Sequence, residues 1–149
     1  MKYSIVFPGQ GSQSLGMLSD LNSNFSVVSE VFQEASDSIN VDLWKILNED
    51  KEALNLTETT QPVMLAAGYA TFRVLSEETN LSPVSMAGHS LGEYTALVAS
   101  NSIDFFDAIQ LVRKRGELMQ SAVPTLSLIH ISEPTRRTPI SYAVFCLKK

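Results

Sequence analysis

In the segment Pro83-Val84-Ser85-Met86-Ala87-Gly88-His89-Ser90-Leu91-Gly92, an uncharged and mainly apolar run ends in the pattern Gly-x-Ser-x-Gly. Residues 93–99 continue with a helical pattern that contains no proline. This order predicts a strand, a sharp turn and a helix, which is the arrangement of a nucleophile elbow in an α/β protein. In such an elbow the strained turn lifts the serine hydroxyl above the carboxyl end of a parallel strand.

The elbow makes Ser90 the candidate nucleophile. The amino end of the following helix carries partial positive charge, and the N–H of Leu91 can face the oxyanion that forms when a carbonyl is attacked. Glycine and serine are also ordinary turn formers, so the pattern alone fits a plain turn as well. The strand before it and the helix after it favour the elbow. We do not expect His89 to reach the Ser90 hydroxyl, because neighbours in a tight turn project in different directions.

Composition places the chain among globular proteins of one domain. It has 149 residues, a formal net charge of -5 and 44% hydrophobic residues, and this acidic balance argues against binding to nucleic acid or to an anionic membrane surface. Pro8 and Gly9 interrupt the first apolar stretch, so we expect neither a signal peptide nor a segment that crosses a bilayer. The single cysteine excludes an internal disulfide, so we expect a cytoplasmic protein.

A second loop belongs with the elbow. Residues 3–7 predict a short buried strand, and the loop Gly9–Gln13 follows it. The glycine spacing fits a phosphate-binding motif poorly. If this strand lies beside the strand before Ser90, the loop supplies a further backbone donor to the oxyanion. Farther along, Thr60 and Pro62 predict the start of a long helix, with proline in its first turn.

Three consecutive basic residues lie on a predicted helix after Asp104. We expect Arg113 to form an ordinary surface ion pair with Glu117. Arg115 has apolar residues three and four positions away, so its guanidinium projects from an apolar face and requires a partner. Two interpretations stay open: the side chain extends to water, or its planar fork binds a ligand carboxylate.

Four motifs, in this order, resemble the N-terminal part of the malonyl-CoA:acyl carrier protein transacylases. They are Phe7-Pro8-Gly9-Gln10-Gly11-Ser12-Gln13, Thr60-Gln61-Pro62, Gly88-His89-Ser90-Leu91-Gly92-Glu93-Tyr94 and Arg115-Gly116. The resemblance implies Ser90 as nucleophile, Gln10 and Leu91 as backbone oxyanion donors, and Arg115 as the residue that binds the malonyl carboxylate. It implies malonyl-CoA and acyl carrier protein as partners in fatty acid biosynthesis, a monomer, and no cofactor or metal.

The resemblance also implies a fold and its limits in this chain. The expected fold is a partial α/β-hydrolase-like core with parallel strands, without the second half of the core and without the family's ferredoxin-like subdomain. We divide the chain into residues 1–124, the N-terminal part of the acyltransferase domain, and residues 125–149, a disordered or artefactual tail that resembles translated sequencing adapter. In the family the base is a histidine beyond the matched part, so we expect the polypeptide as written to be inactive.

Other functions remain compatible with these motifs. An acyltransferase domain of polyketide synthesis is a variant of the same prediction. A serine hydrolase shares the elbow, but it gains nothing from an arginine on an apolar helix face. A non-catalytic module that binds acyl carrier protein requires a basic patch, for which the chain offers few residues.

Overall fold

The structure is a computed structural model that describes residues 3–80, 82–122 and 147–148. These residues form an α/β fold that is mostly helical. The elements, in chain order, are β1 (Ser4–Phe7), α1 (Ser19–Asn24), α2 (Val27–Ile39), α3 (Leu43–Glu49), α4 (Lys51–Leu54), α5 (Thr57–Glu78), β2 (Ser85–Gly88), α6 (Leu91–Ala99), α7 (Phe105–Ala122) and β3 (Leu147–Lys148).

The two strands that carry the motif loops are parallel neighbours. β1 pairs with β2 in a register that runs from Ser4 opposite Ser85 to Phe7 opposite Gly88. The short strand β3 pairs antiparallel with the other edge of β2. Because carboxyl ends of parallel strands meet at one edge, the loop after β1 and the turn after β2 lie together. The condition under which the loop after β1 could reach the oxyanion, that the two strands are neighbours, is therefore met.

The sheet is covered on one face by helices. Phe7 and Met86 pack with Ala96 and Ala99 of α6. We expected β1 to be a buried strand, and this prediction is wrong for Val6, which is 73% exposed. Successive side chains of a strand point to opposite faces, so Val6 lies on the face that these helices leave open.

Helix α5 is the central helix of the fold. It packs against α2, α6 and α7, and most of its first half is buried on every side. The helix begins at Thr57 rather than near Thr60, so Pro62 lies inside it and not in its first turn. The start was mispredicted because the proline suggested a boundary, whereas the structure compensates for it.

The compensation comes from α7. A proline has no N–H, so the carbonyl of Glu58, four residues before Pro62, lacks its helical donor. Arg113 donates from Nη1 to this carbonyl at 3.2 Å and from Nη2 to the Glu58 carboxylate at 3.1 Å. The predicted pair of Arg113 with Glu117 is confirmed, at 3.2 Å, but Arg113 is not an ordinary surface residue, since its main role is to join α7 to α5.

A glycine allows the two helices to approach closely. A Cβ atom added to Gly116 would lie 2.6 Å from the Cα of Glu58 and 2.8 Å from the carbonyl oxygen of Thr57. Real Cβ atoms do not tolerate such distances to backbone. The contact also brings Arg115, the residue directly before Gly116 on α7, toward the elbow.

Most of the predicted tail, residues 125–149, lies outside the described residues, apart from the two residues of β3. Within the described part of the chain, every helix is too short or too polar to span a membrane.

Candidate active site

The turn between β2 and α6 holds Ser90 in a strained conformation. Its backbone has φ 54° and ψ -105°, outside the regions that a residue with a side chain ordinarily adopts. The flanking glycines allow this turn, because a Cβ at Gly88 would collide with Gly92, and a Cβ at Gly92 would collide with the carbonyl of Phe7. The predicted sequence of strand, sharp turn and helix is therefore present, with Ser90 at its apex.

Helix α6 begins immediately after the serine. The Ser90 N–H donates to Oε1 of Glu93 at 3.1 Å, which fixes the turn against the first turn of the helix. Leu91 is the first helical residue, so its N–H has no carbonyl within the helix to bond. An oxyanion above this end would meet both that N–H and the partial positive charge of the helix.

The loop after β1 is tied to the amino end of α5. Gln10 donates from Nε2 to Oγ1 of the buried Thr57 at 3.3 Å, and Gln13 donates to Oδ1 of Asn55 at 3.2 Å. A Cβ on Gly9 would lie 2.9 Å from the carbonyl oxygen of His89. The loop and the elbow are thus in backbone contact, which is the proximity that a shared oxyanion site requires.

Arg115 connects the serine to the central helix. Its Nη2 donates to Oγ of Ser90 at 3.0 Å and its Nη1 donates to Oε1 of Gln61 at 2.8 Å. The guanidinium carbon lies 5.6 Å from the centre of the Tyr94 ring, within the range of a cation–π interaction. Of the two interpretations of Arg115, the structure excludes a side chain that merely extends to water.

No role for Gln61 was predicted from the sequence, although this residue lies in one of the four motifs. Gln61 is 0% exposed. Besides accepting from Arg115, it donates from Nε2 to the sulfur of Met119 at 3.2 Å. The amide directly precedes the apolar run of residues 62–67, and this position was the available signal, because a buried amide requires partners.

The other basic residues of α7 point away from this site. Lys114 donates to the Glu117 carboxylate at 3.2 Å. This hydrogen bond, with a smaller effect of Arg113 in the same direction, lowers the pKa of Glu117 below its ordinary value. Arg113 and Lys114 are therefore engaged by carboxylates, whereas Arg115 contacts only neutral groups among its recorded partners.

This arrangement has a defined chemical capacity. The guanidinium donates to the serine oxygen, so the hydroxyl proton is directed elsewhere and is available to a base. Arginine itself cannot be that base, because it has no acceptor and does not lose its proton. A positive charge beside the Ser90 hydroxyl, with no carboxylate paired to it among the described residues, suits an acyl group that carries a carboxylate. Among the described residues there is no cluster of side chains suited to a metal ion.

Comparisons with known proteins identify the family of the chain. The sequence pattern of the acyl transferase domain family matches residues 4–132. The chain belongs to the acyl transferase domain family. This acyl transferase chain is 53% identical over 125 residues to the malonyl CoA-acyl carrier protein transacylase of Haemophilus influenzae, and 48% identical over 124 residues to that of Escherichia coli K12. These matches cover 83% of this chain and 40% of each relative.

Solved structures lead to the same family. A malonyl-transacylase in complex with its type II PKS acyl-carrier protein is similar with a TM-score of 0.81 and 54% identity, over 83% of this chain and 40% of that one. The acyl carrier protein S-malonyltransferase of Vibrio cholerae gives a TM-score of 0.80 and 51% identity, over 83% and 41%. The acyl transferase chain thus spans about two fifths of these proteins.

Proposed function

We propose that this chain carries the nucleophile and the acyl-carboxylate site of a malonyl-CoA:acyl carrier protein transacylase. The observation that carries the proposal is the contact of Arg115 with Ser90. It places a cation beside the hydroxyl at the apex of a strained elbow. The names of the relatives supply the acyl group and the acceptor: malonyl-CoA and acyl carrier protein.

The proposed reaction proceeds through a covalent serine ester. Ser90 Oγ attacks the thioester carbonyl of malonyl-CoA, and its proton passes to a base. The carbonyl oxygen becomes an oxyanion held by the N–H groups of Gln10 and Leu91, and the C–S bond then breaks to release coenzyme A. In the second half, the phosphopantetheine thiol of acyl carrier protein attacks the serine ester and regenerates the hydroxyl. The resemblance assigns the base to a histidine outside residues 1–124.

Substrate choice follows from Arg115. A guanidinium binds a carboxylate through two parallel hydrogen bonds, which a malonyl group offers and an acetyl group does not. A polar site built for a charged group penalises an analogue that leaves it unpaired. This is the reason to prefer a malonyl transferase over a simple serine hydrolase.

The finer features of the fold and of the chain belong to the same proposal. A parallel strand, an elbow serine and a following helix fit an α/β-hydrolase-like core. We place the acyltransferase part at residues 1–124, with 125–149 outside it, although the family pattern extends to residue 132. The lone cysteine fits a reducing, cytoplasmic setting. A polyketide carrier protein is the second candidate acceptor, since one similar structure contains such a partner.

A chimera tests the assignment of the nucleophile. Residues 1–122 replace the matched segment of the Haemophilus influenzae relative, and transfer of malonyl from coenzyme A to acyl carrier protein is measured. We expect Ser90→Ala to lower the turnover by roughly 10⁴-fold or more, because a nucleophile and its base act as a unit. Ser102→Ala, a loop serine outside the site, is the matched control and keeps full activity. Turnover that survives Ser90→Ala contradicts the proposal.

A further inference from the structure

We propose that Gln61 is a positioning residue that sets the preference for carboxylated acyl groups by holding the Arg115 guanidinium in place. The inference rests on the proposed function, since it concerns the same site. The hydrogen bonds of the Gln61 side chain in the described part of the chain go to Arg115 and Met119, so it acts on the serine through the arginine.

The geometry of the amide supports this role. Gln61 is fully buried on the central helix α5, whose neighbouring residues are also buried. Its oxygen accepts from Arg115 Nη1 at 2.8 Å, and its nitrogen donates to the Met119 sulfur at 3.2 Å. Because both ends of the amide are engaged, it cannot rotate without losing both contacts. Met119 lies one helical turn after Arg115, so one amide braces two side chains of α7.

The chemistry of the amide suits the role better than a charged group would. A glutamate at this position would hold the guanidinium equally well, but it would neutralise the charge that a malonyl carboxylate requires. An amide oxygen fixes one N–H of the fork and leaves the net positive charge unpaired. The other terminal nitrogen of the guanidinium, Nη2, donates to Ser90 Oγ and therefore faces the atom to which the acyl group would be attached.

A neutral partner also limits the orientations of the fork. Arginine carries three or more rotatable bonds, and their freedom must be lost when a carboxylate is bound. The hydrogen bond to Gln61 and the cation–π interaction with Tyr94 restrict the guanidinium before the ligand binds. Removing the amide therefore weakens binding of malonyl-CoA more than binding of acetyl-CoA.

The test compares the dissociation constants of malonyl-CoA and acetyl-CoA for the 149-residue chain by titration calorimetry. In Gln61→Met, which keeps the length and volume of the side chain, we expect the preference for malonyl-CoA to fall about tenfold or more, the usual weight of a hydrogen bond to a charged group. Gln61→Glu should lower the preference as well, through neutralisation. Gln110→Met, the same change on α7 away from the site, is the control and keeps the preference of the unmodified chain.

The outcomes separate the two proposals. If the unmodified chain binds malonyl-CoA no more tightly than acetyl-CoA, the proposed function fails at Arg115, and Gln61 has no selectivity to set. If the unmodified chain prefers malonyl-CoA and Gln61→Met retains that preference, the role of Gln61 is overturned alone. Loss of stability in Gln61→Met does not imitate the expected result, since a smaller folded fraction weakens the binding of both ligands equally.

The NMR signal of the Arg115 Nε–H gives an independent measurement. Release of the guanidinium should broaden or shift this signal in Gln61→Met. An unchanged signal would contradict the proposal that Gln61 holds the guanidinium in place.

Discussion

At the scale of single residues, the candidate site stores conformational strain at the proposed nucleophile, Ser90. Ser90 is one of three residues other than glycine with positive φ in the described part of the chain; the others are Asn40 and Asn101. Asparagine adopts the left-handed region easily, whereas serine does so less often. The ψ of Ser90, -105°, also lies outside that region. The strain is held by the turn of the elbow and by the bond from its N–H to Glu93.

This strain predicts a difference between two variants that both lack the hydroxyl. Ser90→Gly should be more stable than Ser90→Ala by about 1 kcal/mol, because glycine relieves roughly 1–3 kcal/mol of backbone strain and loses up to about 1 kcal/mol through its greater freedom in the unfolded chain. Urea unfolding followed by circular dichroism gives the comparison. Equal stability, or a more stable alanine variant, would show that the turn is not strained.

At the scale of elements, the junction of α5 and α7 positions the cation of the site. Pro62 frees the Glu58 carbonyl, Arg113 fills that acceptor, and Gly116 lets the backbones meet. Arg115 and Gln61 are brought together by this junction, although 54 positions separate them in the sequence. A motif that contains Gly116 directly after Arg115 therefore has a packing reason as well as a chemical one.

The junction is tested by Gly116→Ala. Helix propensity alone predicts a gain of about 1 kcal/mol from this change inside α7. We expect the opposite sign, a loss of about 1–3 kcal/mol, because the added Cβ meets the backbone of Glu58 at 2.6 Å. Ser121→Ala, at an exposed position of the same helix, should change stability by less than about 0.5 kcal/mol. A stabilised Gly116→Ala would mean that the two helices are farther apart than described.

At the scale of the whole molecule, the sequence predicted local features well, but it predicted neither the open face of β1 nor the contacts between distant helices. The elbow follows from the local spacing of residues. The shared oxyanion site required β1 and β2 to be neighbours, and the structure shows them paired in parallel. The start of α5 was wrong, because a proline inside a helix is tolerated only when a distant group, here Arg113, satisfies the freed carbonyl. Gln61 received no predicted role for a similar reason: its partner, Arg115, is distant in the sequence and lies on another helix.

The burial of β1 was mispredicted for a related reason. An apolar strand in an α/β protein is expected to be covered on both faces. In the described residues, helices cover one face, and Val6 on the other face is 73% exposed. Pattern alone cannot distinguish a strand whose second face is covered from one whose second face is open. The roles of Ser90, Gln10, Leu91 and Arg115 stay predictions that rest on geometry and on the names of relatives.

The most direct test is to map the acyl group on the protein. The chimera described above, in which residues 1–122 replace the matched segment of the Haemophilus influenzae relative, is incubated with malonyl-CoA, digested, and analysed by tandem mass spectrometry. The account predicts one malonyl ester, located on the side chain of Ser90 in the peptide that contains this residue. The ester should be absent from Ser90→Ala. It should form in preference to an acetyl ester when malonyl-CoA and acetyl-CoA compete. A malonyl group on another residue, or acylation of Ser90 that does not distinguish malonyl-CoA from acetyl-CoA, would contradict it.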